Sequence, residues 1–261
     1  MNKSFLKWAG SKLQLVEPIK ELVNNNGLFI EPFAGSGVIS LNVDNKCVLN
    51  DINTDLINLY GVINNKCEKF IEDLLPLFKN GNDSDFFYDI RNKFNETEDA
   101  YKKSLYFVYL NRHCFNGLCR YNKNKNFNVP FGKYKKVNIP EEQIRNFAKK
   151  RFILFNSNYM DIIEKYYSDE NNIIYCDPPY TPLSSSSNFT SYWDNFNFDE
   201  QIKLVELCEK SKCKIIISNS YCKENMDIYK NFNIRKVNVI RKISNKKESR
   251  GTVEEILATN F

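Results

Sequence analysis

The sequence predicts an α/β fold, a mostly parallel sheet carrying a mainly helical insertion, and three observations lead there. Short β-branched runs bounded by polar clusters alternate with segments of helical spacing, the pattern of strand–helix–strand units. That rhythm breaks between residues 54 and 149, where Asn- and Lys-rich helical patterns and one Gly-containing turn replace it. The chain has 261 residues and is 42% apolar, which suffices for one large core plus an insertion and argues against disorder.

The strands follow in order at 28–33 ("LFIEPF"), 46–53, 152–157, 172–177, 214–220 and 234–243. The first leads into "AGSGVISLNV" (34–43), read as a turn opening into a helix. Residues 199–212 place Ile202, Val205, Leu207 and Cys208 at helical spacing, the mark of a helix packed on the sheet. Residues 1–53 and 150–261 thus make the two parts of the sheet domain, with 54–149 inserted between them.

Composition narrows the function classes. No stretch approaches the 18 apolar residues of a membrane span, and "MNKSFLKWAG" lacks an apolar signal region, so a soluble, cytoplasmic chain is expected with no membrane partner. The net charge of +5 suits a polyanionic partner without requiring one. Eight cysteines are scattered with no CxxC pair, and His113 is the single histidine. The expectation is reduced thiols and no metal site. His113 is also a poor candidate for a general base, more suited to packing.

Four segments carry chemistry. In "YCDPPYTP" (175–182), Asp177 ends a strand and is held extended by Pro178, while Pro178 and Pro179 stiffen the corner and remove two backbone donors. That corner offers acceptors, Asp177 Oδ and the Pro178 carbonyl, followed by the aromatic face of Tyr180. An exocyclic amine on a flat heterocycle needs that combination: acceptors for two hydrogens and a ring to stack on. In "EPFAGSG", Gly35 and Gly37 give a tight turn after a strand, where backbone amides can approach a ligand or simply turn the chain. Asp51 closes the next strand, where a carboxylate either takes ribose hydroxyls or caps the following helix. In "FLKWAGSK", Lys7, Trp8 and Lys12 surround a small-residue turn, with Trp8 a hydrophobic lid or a nucleobase neighbour.

The fourth segment, 111–136, interleaves Arg112, Arg120, Lys123, Lys125, Lys133, Lys135 and Lys136 with Phe115, Tyr121, Phe127, Phe131 and Tyr134. Cations can hold phosphates, arginine can take a guanine edge, and aromatics can wedge into a base stack. A solvated basic loop with anchoring aromatics is the plainer alternative. A base that reaches the Asp177 corner from a duplex must be flipped out of its stack.

In this order, "FLKWAGSK", "EPFAGSG", "NDINTDLINLY", "YLNR", "FNGLCRYN", "FNVPFGKY", "YCDPPY", "NFTSY", "IISN" and "EEILATNF" resemble the Dam-type DNA adenine methyltransferases, nearly end to end. The motif order is similar to that of the α group of amino-methyltransferases. The resemblance implies a Rossmann-like methyltransferase sheet with a helical target-recognition insertion, and methyl transfer from S-adenosylmethionine to adenine N6 in double-stranded DNA. It implies a cofactor site of Trp8, Lys12, Phe33, Ala34, Gly35, Ser36, Gly37, Asp51 and Asp177, and a catalytic corner of Asp177, Pro178, Pro179 and Tyr180. The family's best-known target is GATC. Arg120 would then contact a guanine, Leu118 and Pro130 would lie on base edges, and Lys7 would reach the flank. Phe115 and Asn116 would fill the space left by the flipped adenine, with Arg112, Asn126, Lys133 and Tyr134 completing the DNA surface. The chain carries Phe115 where tyrosine is common and Lys133 where arginine is common, the second change losing bidentate geometry. A protein or RNA methyltransferase, a cytosine amino-methyltransferase and a catalytically silent DNA-binding module remain the alternatives. Whether the chain acts alone or beside a restriction nuclease is not written in these residues.

Overall fold

The computed structural model describes residues 1–180, 196–240 and 251–261. The "NFTSY" motif, and residues 241–243 of the expected last strand, fall outside them.

Among the described residues, seven strands form one sheet: β1 (Phe29–Glu31), β2 (Cys47–Asn50), β3 (Ile153–Phe155), β4 (Ile173–Cys176), β5 (Lys214–Ser220), β6 (Asn233–Ile240) and β7 (Thr252–Thr259), in the order β3-β2-β1-β4-β5-β7-β6. The first five in that order are parallel, and β7 runs antiparallel between β5 and β6. Strand order reverses between β1 and β4, so the carboxyl ends of those strands frame the crevice where open α/β sheets bind ligands. The mixed α/β, mostly parallel expectation is met.

Alternation along the strands builds two apolar layers. Phe29, Leu49, Ile173, Tyr175, Ile216 and Leu257 face one layer, completed by α1 (Val16–Leu22), α2 (Thr54–Asn80), α3 (Ser84–Glu96), α4 (Ala100–His113) and α5 (Glu141–Lys149). Ile30, Val48, Ile174, Cys176, Ile217 and Ala258 face the other, against α6 (Tyr159–Tyr166) and α7 (Phe198–Glu209), with α8 (Lys223–Ile228) beside them. Four helices, α2 to α5, occupy residues 54–149 and share their apolar core with the sheet through residues such as Phe70, Phe107 and Phe147. Their starts are local: Asn53, Asp83 and Asp99 accept backbone amides of the first turns of α2, α3 and α4. The same device, through Asn158 and Asn197, opens α6 and α7.

Two expectations need correction. Residues 34–43 form consecutive turns, not a regular helix. Gly35 and Gly37 hold left-handed φ of +46° and +62°, and the Asn42 side chain takes the Val38 carbonyl at 2.8 Å that a regular helix would offer to the Asn42 backbone amide. The second correction is β7, which the pattern reading passed over because the adjacent Glu254 and Glu255 interrupt its apolar alternation.

Candidate active site and nucleic-acid surface

The glycine turn is tied to the end of β2. The Gly35 and Asn53 amides donate to the two Asp51 carboxylate oxygens at 3.0 and 2.9 Å, so Asp51 braces the turn while Asn53 caps α2. Burial pushes the Asp51 carboxyl up to about 6 against those two hydrogen bonds. The Tyr60 hydroxyl donates to the Gly35 carbonyl. A Cβ on Gly35 would lie 2.7 Å from the Trp8 indole nitrogen, so Trp8 packs directly on the turn. Phe33 stacks on Tyr159 at 5.0 Å, and Ser36 accepts the Ser4 hydroxyl at 3.0 Å through its carbonyl. Ala34 donates to the Asn50 carbonyl at 2.8 Å, whereas Gly37 packs against Leu49 and Phe147 in the core.

Across the crevice, Asp177 follows β4. Its Oδ1 accepts the Ser218 hydroxyl at 2.8 Å and pairs with Lys12 Nζ at 3.2 Å. Ser218 in turn shares a 2.9 Å hydrogen bond with the Tyr175 hydroxyl. Lys12 lies 4.2 Å from the centre of the Tyr180 ring and 3.8 Å from Glu255, and the Tyr180 hydroxyl donates to Glu255 at 3.0 Å. Burial pushes the Asp177 carboxyl above the usual carboxylate range; Lys12 and the Ser218 hydroxyl pull it back, while Glu255 adds to the rise. Glu31, at the end of β1, is buried, accepts the Ser40 amide at 2.7 Å and is pushed up to about 8, chiefly by burial.

Most of the expected DNA residues lie on one arm, with Arg112 at the end of α4 and Lys7 of the N-terminal segment beside it. Its two segments bridge at Cys114–Phe131 and Tyr121–Phe127, with the Phe115 amide on the Pro130 carbonyl at 2.8 Å and the Asn128 amide on the Arg120 carbonyl at 3.1 Å. Phe115 is 46% exposed at the base of the pair, next to Asn116, and Asn116 and Lys133 hold φ of +55° and +53°. Lys7 donates to the Arg112 carbonyl at 3.0 Å and stands 3.7 Å over the Tyr134 ring. The Asn111 amide clamps Lys7, accepting its N–H at 2.9 Å and donating to its carbonyl at 2.7 Å. Burial and then the Arg112 charge lower the Lys7 pKa. The Arg120 guanidinium is braced by Asn128 Oδ1 at 2.7 Å. Leu118 is half-buried, and Asn126 and Pro130 are exposed. A groove of about 400 Å³ lined by Lys7, Trp8, Asn116 and Tyr134 joins this arm to the glycine-turn side.

The structure therefore brings the expected residues into two adjoining sets and adds members the motifs did not single out. Ser218, Glu255 and Glu31 join the crevice, and Asn111 and Asn128 brace the arm. A carboxylate inside an otherwise apolar strand, as in "LFIEPF" and "VEEILAT", is the signal that could have found the two glutamates. His113 is buried, stacked on Tyr109 at 4.1 Å and held at about 4 mainly by burial, which suits packing rather than proton transfer. All eight cysteines are free thiols. Among the described residues no group of His, Cys, Asp and Glu could hold a metal ion, and no helix is long and apolar enough to cross a membrane.

The family model for D12 class N6 adenine-specific DNA methyltransferases matches residues 8–243. A DNA adenine methylase of Serratia marcescens is 41% identical over 266 residues, covering 98% of each chain. A DNA adenine methylase of Escherichia coli K12 is 37% identical over 265 residues, covering 98% of this chain and 95% of its own. A solved structure titled precorrin 8W decarboxylase, from Methanobacterium thermoautotrophicum, covers 99% of this chain and 95% of its own at a TM-score of 0.39 and 9% identity, too slight a likeness to bear on function. The chain belongs to the D12 class of N6 adenine-specific DNA methyltransferases.

Proposed function

From that membership, we propose that the protein transfers a methyl group from S-adenosylmethionine to N6 of an adenine flipped out of double-stranded DNA, at GATC. The observation that carries this reading is the position of Asp177. It stands at the reversal of strand order, its carboxylate oriented by Ser218 and Lys12, with Tyr180 beside it.

The crevice fits a cationic donor. Glu31, Asp51, Asp177 and Glu255 stand at the carboxyl ends of β1, β2 and β4 and on β7, Lys12 is the cation paired among them, and Asp177 raises the Glu31 pKa further. A sulfonium and an ammonium would favour the ionised form of these buried carboxyls, Glu31 and Asp177 among them, which burial pushes toward the protonated form. Trp8, Lys12, the turn Phe33–Gly37, Asp51 and Asp177 would hold the donor. When bound, S-adenosylmethionine supplies an electrophilic methyl group whose sulfur departs as a neutral thioether.

The remaining work falls to the chain. Both Asp177 contacts fall on Oδ1, which leaves Oδ2 and the Pro178 carbonyl for the two N6 hydrogens. Holding those hydrogens turns the nitrogen lone pair outward, and Pro178 and Pro179 keep the acceptors in place without reorganisation. Tyr180 stacks on the ring. The N6 proton is shed after N–C bond formation, so positioning and electrostatics carry the rate. Residues 54–149 act as the target-recognition part between sheet segments 1–53 and 150–261. Arg120 reads a guanine, Leu118, Pro130 and Lys7 contact base edges, Phe115 and Asn116 fill the vacated stack, and Arg112, Asn126, Lys133 and Tyr134 line the DNA.

The test is transfer from labelled S-adenosylmethionine to duplexes carrying GATC or, in its place, GTAC, followed by nucleoside identification. N6-methyladenine confined to the GATC duplex is expected. Equal labelling of both duplexes would remove the GATC assignment, and N4-methylcytosine would remove the adenine pocket.

A further inference from the structure

We propose that Glu255 is a positioning residue for methyl transfer, the alternative counter-ion to which Lys12 turns so that the Asp177 carboxylate is released to the target amine. The inference rests on the acceptor role read above for Asp177. In the structure, Lys12 already lies between two carboxylates, 3.2 Å from Asp177 and 3.8 Å from Glu255. All three side chains are largely withdrawn from water: 10% exposed for Lys12, 21% for Asp177 and 8% for Glu255.

The problem solved is one of competition. An ammonium held on Oδ1 draws charge away from the Oδ2 left for an N6 hydrogen, and so weakens the carboxylate as an acceptor for a neutral amine. Lys12 could not simply leave, because an unpaired ammonium in a dry crevice is costly. Glu255 gives it a second partner within the same crevice. The same carboxylate accepts the Tyr180 hydroxyl at 3.0 Å, so the turn of Lys12 takes place beside a ring that stays anchored. Register fixes the arrangement: β7 pairs Glu255 with Ser220 at the carboxyl end of β5, two residues beyond the Ser218 that orients Asp177.

Glu255→Gln separates charge from shape, since the amide oxygen still accepts from Tyr180. With the full-length enzyme, duplex DNA and S-adenosylmethionine, kcat is expected to fall about tenfold, with KM for DNA within about twofold and an unchanged melting temperature. The acid limb of kcat should move to lower pH, because one of the charges raising Asp177 is gone. Asp177 is faced by Lys12 from the N-terminal segment, Glu31 from β1, Tyr175 from its own strand, Ser218 from β5, Glu255 from β7 and Tyr180 past the corner, and only Glu255 changes. In a Lys12→Met background the same substitution should cost less than about twofold. Parental kcat and pH profile for Glu255→Gln would overturn the inference. So would an undiminished loss in the Lys12→Met background, or a loss that tracks a lowered melting temperature, each marking a structural role. Asp177→Ala measured alongside separates the two readings: substantial turnover there sinks the acceptor corner itself, while an inactive Asp177→Ala with a neutral Glu255→Gln sinks only the role of Glu255.

Discussion

The crevice at the carboxyl ends of the strands and the arm at residues 114–134 are built on opposite principles. The crevice gathers carboxylates, buries them and ties them through long-range strand register: Asp51 to the glycine turn, Asp177 to Ser218, Glu255 to Tyr180. The arm gathers cations, one exposed aromatic (Phe115) and several anchored ones on a short paired segment whose turns need left-handed backbone at Asn116, Lys125 and Lys133. The first arrangement suits chemistry that tolerates little movement, and the second suits a large polyanion that must be read and distorted. Lys7 and Trp8 line one groove with Asn116 and Tyr134, on the side where the arm meets the glycine turn.

The largest expected effect lies in the crevice. Asp177→Ala should lower kcat by at least about a hundredfold, comparable to removing a preorganised transition-state contact, with DNA binding retained in a gel-shift titration. Near-parental turnover would mean that the crevice is not the reacting centre.

Next comes the stability cost of burying Glu31. Glu31 is pushed from an ordinary glutamate value up to about 8. Below the unfolded value both states are protonated and nothing is lost. As pH rises toward 8 the unfolded chain ionises while the folded one holds its proton, so stability falls across that window. Glu31→Gln, which keeps an oxygen for the Ser40 amide, should flatten the fall and gain about 2–4 kcal/mol at pH 8 relative to pH 4.5. Urea midpoints across that range check it, and parallel parent and variant curves would show that Glu31 ionises freely.

The smallest effect belongs to the arm. Arg120→Ala should cost about 1–3 kcal/mol of discrimination at one guanine and leave kcat on saturating DNA little changed. Transfer rates across single-base variants of the site measure it. A uniform loss across all variants would turn Arg120 into a phosphate contact and narrow the contrast between the two regions.

Much of this architecture was readable before any coordinates. The strands at β1, β2, β3, β4, β5 and β6 follow from β-branched runs, each within a few residues of its observed bounds. Asp177 at a strand end and the glycine turn with positive φ follow from Pro178, Gly35 and Gly37, because proline and glycine act on the backbone where they stand. Helix starts at Asn53, Asp83 and Asp99 rest on equally local caps, although the pattern alone did not single them out. The regular helix expected at 34–43 failed for a reason of the same short range, the Asn42 amide competing for a helical carbonyl.

What sequence alone could not decide is which distant groups share the crevice. Glu255 lies 75 residues from Tyr180 and meets it because β7 inserts antiparallel between β5 and β6. Ser218 meets Asp177 across 41 residues through the β4–β5 register. Pattern and turn chemistry are nearest-neighbour preferences of the backbone. Strand order is settled by the burial of two whole faces at once, and no local residue carries that choice.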